Sequence, residues 1–254
     1  GTLEQISGIT YREASGGLRE NPWAEPVNMD EIPFAYEDLK DFNHKIIYYE
    51  SSRGCPFRCS YCLSSIDKRV RFRSLPLVEK ELQIFLDAQV PQVKFVDRTF
   101  NCNPKRTVEL LQWILEHDNG ITNFHFEIAA DITTEEELAI MEKMRPGLIQ
   151  LEIGVQSTNP KTVEAIHRTM DLKKLEKVVS RVKSFGNIHQ HLDLIAGLPY
   201  EDVNSFQKSF DDVYAMRPDQ LQLGFLKVLK GSGMREHAPG YGINWHERAP
   251  YEVL

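Results

Sequence analysis

Short β-rich runs alternate with amphipathic stretches along most of this chain. The runs cover residues 46–49, 93–96, 123–128, 148–155, 188–195 and 220–228. Between them, residues 75–88, 104–117, 135–144, 161–185 and 203–216 place apolar side chains three and four apart, the spacing of one helix face. Asn103-Pro104 and Asn159-Pro160 each offer an N-cap followed by proline at the first helical position. Thr133 followed by Glu136 has the spacing of a capping box, and Gly120 and Gly186 stand where helices stop. Six strands alternating with helices predict an α/β fold with a parallel sheet and right-handed crossovers. An open doubly wound sheet and a partial barrel both satisfy the pattern. In either, the loops leaving the C-terminal strand ends build the site.

The first 44 residues lack this rhythm. Gly16-Gly17, Asn21-Pro22, Glu25-Pro26 and Ile32-Pro33 interrupt them, with a short strand expected over 9–12. This stretch reads as a linker wrapping a neighbouring domain. The chain has no initiator Met and ends without a closing signal, as a piece cut from a longer protein would.

Composition narrows the class. With 254 residues, 41% hydrophobic and 26% charged, the chain can bury a substantial core. A formal net charge of −7 argues against a non-specific nucleic-acid binder, which needs a basic face. No apolar run approaches the roughly 20 residues of a bilayer span, and the N-terminus lacks the features of a secretory signal. A cytoplasmic protein with neither a membrane nor a nucleic-acid partner is expected.

Four cysteines are too few for a disulfide scaffold, and Cys55, Cys59 and Cys62 fall in one loop after the first strand. Spacings of four and three let three thiolates surround one soft-metal centre. A closed structural zinc site wants a fourth ligand, for which Cys102 is the candidate. An iron–sulfur cluster held by three cysteines would keep one iron open. Cys102 reads most simply as a small buried residue.

The motif, with Tyr61 directly before the third cysteine, resembles the radical S-adenosylmethionine superfamily. The resemblance runs over residues 46–228. It implies a partial (β/α)6 TIM-like barrel and a [4Fe-4S] cluster on Cys55, Cys59 and Cys62. It further implies S-adenosyl-L-methionine on the open iron, cleaved by an electron to methionine and a 5′-deoxyadenosyl radical that abstracts hydrogen from a small-molecule substrate. An electron donor such as flavodoxin or ferredoxin would be the partner. At the second strand end, where the superfamily is often glycine-rich, Asp97 and Thr99 are the expected acceptors for the methionyl amine. Later stretches are similar to the oxygen-independent coproporphyrinogen oxidase branch. That similarity implies that Glu127, Gln156 and Asp193 bind amine and ribose hydroxyls, and that Arg168 pairs the methionyl carboxylate. It also matches Tyr49 to a tyrosine preceding the cluster, and sets Gly197-Leu198-Pro199 along the adenine. His125, His189 and His191, on strands whose side chains alternate in direction, need not converge and read as polar core or loop residues, and no role is assigned to Lys227 or Lys230.

The run Arg53 to Cys59 and the Pro-rich lead resemble the branch carrying an N-terminal cobalamin-binding domain, which includes methyltransferases and anaerobic magnesium-protoporphyrin monomethyl ester cyclase. The implied organisation is a linker over 1–43, a radical core over 44–230 and the start of a C-terminal extension over 231–254. Cobalamin would be held by a domain outside this chain. The expected reaction is C–H activation, methyl transfer or oxidative cyclisation of an unspecified substrate. A tRNA methylthiotransferase-like enzyme is the alternative within the family. A metal-stapled scaffold or electron carrier is the alternative of another class.

Overall fold

In the computed structural model, residues 2–36, 38–42, 45–67 and 69–254 are described. A hairpin of β1 (Thr10–Arg12) and β2 (Leu18–Glu20) precedes the main sheet. The sheet begins with β3 (Ile47–Tyr49), and a two-residue antiparallel ladder of β4 (Ser52–Arg53) and β5 (Arg71–Phe72) follows. The body then runs α1 (Leu75–Asp87), β6 (Gln92–Phe95), α2 (Pro104–Glu116), β7 (Asn123–Ile128), α3 (Glu135–Met141) and β8 (Ile149–Gln156). It continues with α4 (Pro160–Ala165), α5 (Leu172–Phe185), β9 (His189–Ala196), α6 (Val203–Ala215), β10 (Gln220–Phe225) and α7 (Gly233–His237).

The main sheet has the order β3-β6-β7-β8-β9-β10, every pair parallel. Because β3 and β10 are its two edges, the six strands make a partial barrel, as the resemblance implied. β8 shows why the strands form: Ile149, Leu151, Ile153 and Val155 are buried, alternating with half-buried Gln150, Glu152, Gly154 and Gln156. The apolar face meets Leu82 and Phe85 of α1, Leu110 and Ile114 of α2, and Val179 and Val182 of α5 in one core. Each such side chain contributes about 1.5–3 kcal/mol on burial. The polar face turns toward the lumen.

Expected strand ends agree with the structure to within one or two residues, except that β10 stops at Phe225. The capping box sits one residue later than expected, with Thr134 and Glu137 exchanging bonds. The single helix expected over 161–185 is two. His167 takes the left-handed conformation (φ 54°), with His167 N–H on Glu164 O and Arg168 N–H on Val163 O, both at 3.0 Å. This closing pattern ends α4 without glycine and throws Arg168 out of the helix.

The irregular N-terminal stretch straps the β3 edge. Phe34 and Tyr36 each meet the Phe85 ring at 5.5 Å, and the Tyr36 hydroxyl donates to Tyr48 O at 2.5 Å. Beneath the strap, buried Arg73 donates to the carbonyls of Met29 and Ile32 and pairs with Glu81. The Tyr49 hydroxyl donates to the same carboxylate at 2.6 Å. The division expected between residues 43 and 44 falls on Asn43 and His44, which lie outside the described residues. After residue 230, Met234 and Ala238 pack with Ile166, Leu198 and Val228 in a small second cluster. Among the described residues, no helix is long and apolar enough to cross a membrane.

Candidate functional site

The cysteine loop leaves β4 through Gly54, whose φ is 100° and where a Cβ would stand 2.2 Å from Arg69 O. Only glycine fits that crossing. The β4–β5 ladder closes the loop at its base, with Ser52 opposite Phe72 and Arg53 opposite Arg71. Asp97, at the end of β6, clasps it. The two carboxylate oxygens accept from Ser51 N–H (2.7 Å), Ser51 Oγ (2.6 Å), Ser52 N–H (3.0 Å) and Ser52 Oγ (2.8 Å). At its tip, Ser60 N–H donates to Ile166 O at 2.8 Å and Met234 N–H to Ser60 O at 2.7 Å.

Cys55, Cys59 and Cys62 line one cavity with Thr99, Glu127 and Glu152, and its wall continues through Gly154, Gln156, Arg168 and Asp193. The cavity encloses about 200 Å³ and opens to solvent at its mouth. Arg168 is on the thiol side, its Nη1 3.8 Å from Cys59 Sγ and 3.5 Å from the Tyr61 hydroxyl, its Nη2 donating to Gly154 O. Burial pushes the Cys59 thiol up and the nearby guanidinium opposes it. Thr99 Oγ1 is 3.5 Å from Cys55 Sγ.

Opposite the thiols stand three carboxylates. Glu152 is held down to about 2, chiefly by His125, whose Nε2 is 3.1 Å away, and by Lys94 Nζ at 2.8 Å, against its burial. Burial and then Glu152 raise Glu127. Burial, Glu152 and Glu127 together push Asp193 up to about 7. Folded Asp193 therefore keeps a proton between about pH 4, where an unfolded aspartate releases it, and pH 7. Stability falls as pH rises through that window, and Asp193→Asn removes this part of the slope. Thermal melts of the ligand-free protein from pH 4.5 to 8 measure it; an unchanged profile in the variant would contradict the assignment.

β8 bulges against β9 between Gly154 and Gln156, and Gln156 sits at φ 72°. Strain of this kind, at a bulged strand end, gathers where a side chain must be aimed. Among the described residues, Gln156 Oε1, Asp193 Oδ1 and Arg168 Nε are buried without a hydrogen-bond partner. Buried polar groups are nearly always satisfied, so these three await a ligand.

Three expected site residues are elsewhere. Asp97 has both carboxylate oxygens committed to Ser51 and Ser52 and does not line the cavity, so it anchors the loop instead of meeting an amine. Tyr49 is in the core, its hydroxyl on Glu81. Gly197 (φ 86°) faces Leu226 and Val253. Cys102 is also outside the cavity. Of the three histidines, His125 and His191 are buried core residues on the lumen face, beside Glu152 and Asp193, while His189 is exposed. Lys94 and Glu152, not among the expected site residues, pair with each other on this wall. A signal existed, since His125 and His191 each stand two positions before an expected site carboxylate and so share its face.

The donor set suits an iron–sulfur cluster. Three soft thiols share the cavity with no fourth thiol. Among the described residues, no three Cys, His, Asp or Glu side chains gather on a point that would hold a single ion. A parallel partial barrel with a thiol-lined cavity at its C-terminal strand ends defines a cofactor-dependent enzyme core. The profile of the radical SAM superfamily matches residues 49–213, and the chain belongs to that superfamily. An uncharacterized methyltransferase of Pyrococcus horikoshii is 26% identical over 96% of this chain and 55% of its own length. Oxygen-independent coproporphyrinogen III oxidase of Salmonella typhimurium is 25% identical over 87% of this chain and 45% of its own. In fold, the chain matches the radical S-adenosylmethionine methyltransferase TsrM of Kitasatospora setae, solved with cobalamin and a [4Fe-4S] cluster bound. The TM-score is 0.78 at 15% identity, over 98% of this chain and 53% of that one. The chain thus spans about half the length of these relatives.

Proposed function

We propose that this chain is the catalytic core of an enzyme in which Cys55, Cys59 and Cys62 hold a [4Fe-4S] cluster and the facing wall binds S-adenosyl-L-methionine. The observation that carries this reading is one cavity that three thiols and Arg168 line on one side, with unsatisfied Gln156 and Asp193 on the other. Bound there, the pair would supply a 5′-deoxyadenosyl radical for hydrogen abstraction from a small-molecule substrate. The chain's own residues position and shield. The Arg168 guanidinium, with Nε free, matches a carboxylate. Glu127, Gln156 and Asp193 present oxygens to hydroxyl or ammonium donors. Thr99 borders the Cys55 thiol, and of the three thiols that of Cys59 is buried.

The methyltransferase relative and the TsrM fold support methyl transfer, assisted by cobalamin on a further domain, as the activity of the whole protein. Oxidative chemistry like that of the coproporphyrinogen oxidases is the second reading, supported by the likeness to the Salmonella typhimurium oxidase. A flavodoxin or ferredoxin would deliver the electron. The test is anaerobic reconstitution with iron and sulfide, EPR of the reduced protein with and without S-adenosylmethionine, and an assay for 5′-deoxyadenosine. A signal that changes on adding S-adenosylmethionine, with 5′-deoxyadenosine formed, is expected; a spectrum indifferent to it overturns the proposal.

Gly154 offers a sharper probe. A Cβ there would stand 2.4 Å from Gln156 Nε2 and 3.5 Å from Arg168 Nη2. Gly154→Ala displaces the Gln156 amide while leaving Arg168, at ordinary contact distance, and the thiols alone. Turnover should fall on the order of 10²-fold, with iron content unchanged by metal analysis.

A further inference from the structure

The cysteine loop differs in charge from the rest of the chain. Residues 51–74 carry six basic side chains against Asp67 alone, in a protein whose net charge is −7. Arg73 belongs to the buried pair beneath the strap, and Lys68 lies outside the described residues. Arg53 is held by both carboxylate oxygens of Glu50, and Arg71 pairs with Asp67 at 2.5 Å. Arg58 and Arg69 are exposed, and among the described residues neither side chain has an ion-pair or hydrogen-bond partner. The loop also bares two apolar side chains. Leu63 and Ile66 are 43% and 55% exposed. They stand three apart along the 3₁₀ turn that follows Cys62, a spacing at which side chains eclipse. None of Arg58, Arg69, Leu63 and Ile66 lines the cavity.

Position gives the combination its meaning. Arg58 directly precedes Cys59 and Leu63 directly follows Cys62, so the backbone that holds two of the thiols reaches solvent at these side chains. The cavity mouth admits substrate and S-adenosylmethionine, which leaves the outer side of the loop as a separate approach to the thiols. We propose that this outer side, with Leu63 and Ile66 for apolar contact and Arg58 and Arg69 for charge, docks a small acidic protein that carries a one-electron redox group. One electron leaves the carrier, which is oxidised, for the iron–sulfur site of Cys55, Cys59 and Cys62, which is reduced; no bond forms or breaks. Opposite charge steers such encounters and makes them depend on salt. Electron carriers form small interfaces, below about 1,200 Å², so a single loop can supply one. Two unpaired arginines are few for a nucleic acid, which binds through many phosphate contacts at once, and phosphates gain nothing from Leu63 and Ile66. The inference rests on the proposed function, since it names where that site receives its electron.

The test is calorimetric titration of the metal-free protein with an acidic flavodoxin, with basic cytochrome c and a single-stranded RNA as controls. Flavodoxin binding should weaken on the order of tenfold from low to physiological salt. The double variant Arg58→Glu with Arg69→Glu should weaken it by about as much at low salt, and Leu63→Ser should weaken it at both salts alike. No flavodoxin binding, binding indifferent to salt, wild-type affinity in the double variant, or tighter binding of cytochrome c or the RNA overturns the proposal. The salt series uses the wild-type protein, so a variant that fails to fold leaves the test standing. Reconstituted, the double variant should form 5′-deoxyadenosine at the wild-type rate with dithionite and about tenfold more slowly with reduced flavodoxin. That comparison separates the two claims. No 5′-deoxyadenosine with dithionite in the wild type sinks the radical reading, whatever the flavodoxin does; equal rates of the two proteins with flavodoxin sink the docking surface alone.

Discussion

Replacing Cys55, Cys59 or Cys62 singly by serine should reduce both the cluster EPR signal and 5′-deoxyadenosine formation to background, while Cys102→Ser retains both. The three thiols share one cavity wall, and a hydroxyl is a poor ligand for iron that soft thiolates hold. Cys102 lies outside that wall. Burial first, and then Asp97, push its thiol up to about 11. Iron and sulfide analysis of the four variants, reconstituted in parallel, gives the answer. Loss of iron in Cys102→Ser would mean a closed four-thiol site, and the scaffold or electron-carrier reading would replace the enzyme.

The second large effect concerns stability. Arg73 and Glu81 are 5% and 3% exposed and paired at 2.5 Å, with the Tyr49 hydroxyl on the same carboxylate. Arg73→Met strands a buried carboxylate, at a cost of about 3–5 kcal/mol. In a chain of this size that lowers the melting temperature by roughly 10 °C. Arg73 also binds the carbonyls of Met29 and Ile32, so the strap over the β3 edge should loosen in the same variant. Hydrogen exchange across residues 29–36 would register it. The double variant Arg73→Met with Glu81→Leu removes both charges and should recover much of the loss, because a well-packed apolar pair often matches a buried ion pair. A single variant that melts with the wild type would show that the node contributes nothing.

The partial barrel was legible because β8 and its neighbours alternate so regularly, and because Asn103-Pro104 and Asn159-Pro160 mark two helix starts. The cysteine spacing carried the metal. What stayed hidden depended on partners distant in sequence. Asp97 looked like a site acceptor until Ser51 and Ser52, some 45 residues away, were seen to take its oxygens. Tyr49 looked available until Glu81 of α1 appeared opposite its hydroxyl. The break between α4 and α5 carries no glycine or proline, and rests on His167 adopting a left-handed conformation that composition does not announce. The ionic lumen was half-visible. Period-two parity aligns His125 with Glu127 and His191 with Asp193, but which residue lies beside which is settled by strand register.

The clasping of the cysteine loop bears on how the protein matures. In small metal-dependent domains the free energy of metal binding is the free energy of folding, and a chelator unfolds them. Here Gly54, the β4–β5 ladder, Asp97 and the two backbone bonds of Ser60 hold the loop through protein contacts alone. We infer that folding and metal acquisition are separable: these contacts would let the barrel form before iron and sulfide arrive, and a cluster lost to oxygen would then be replaced without refolding the protein.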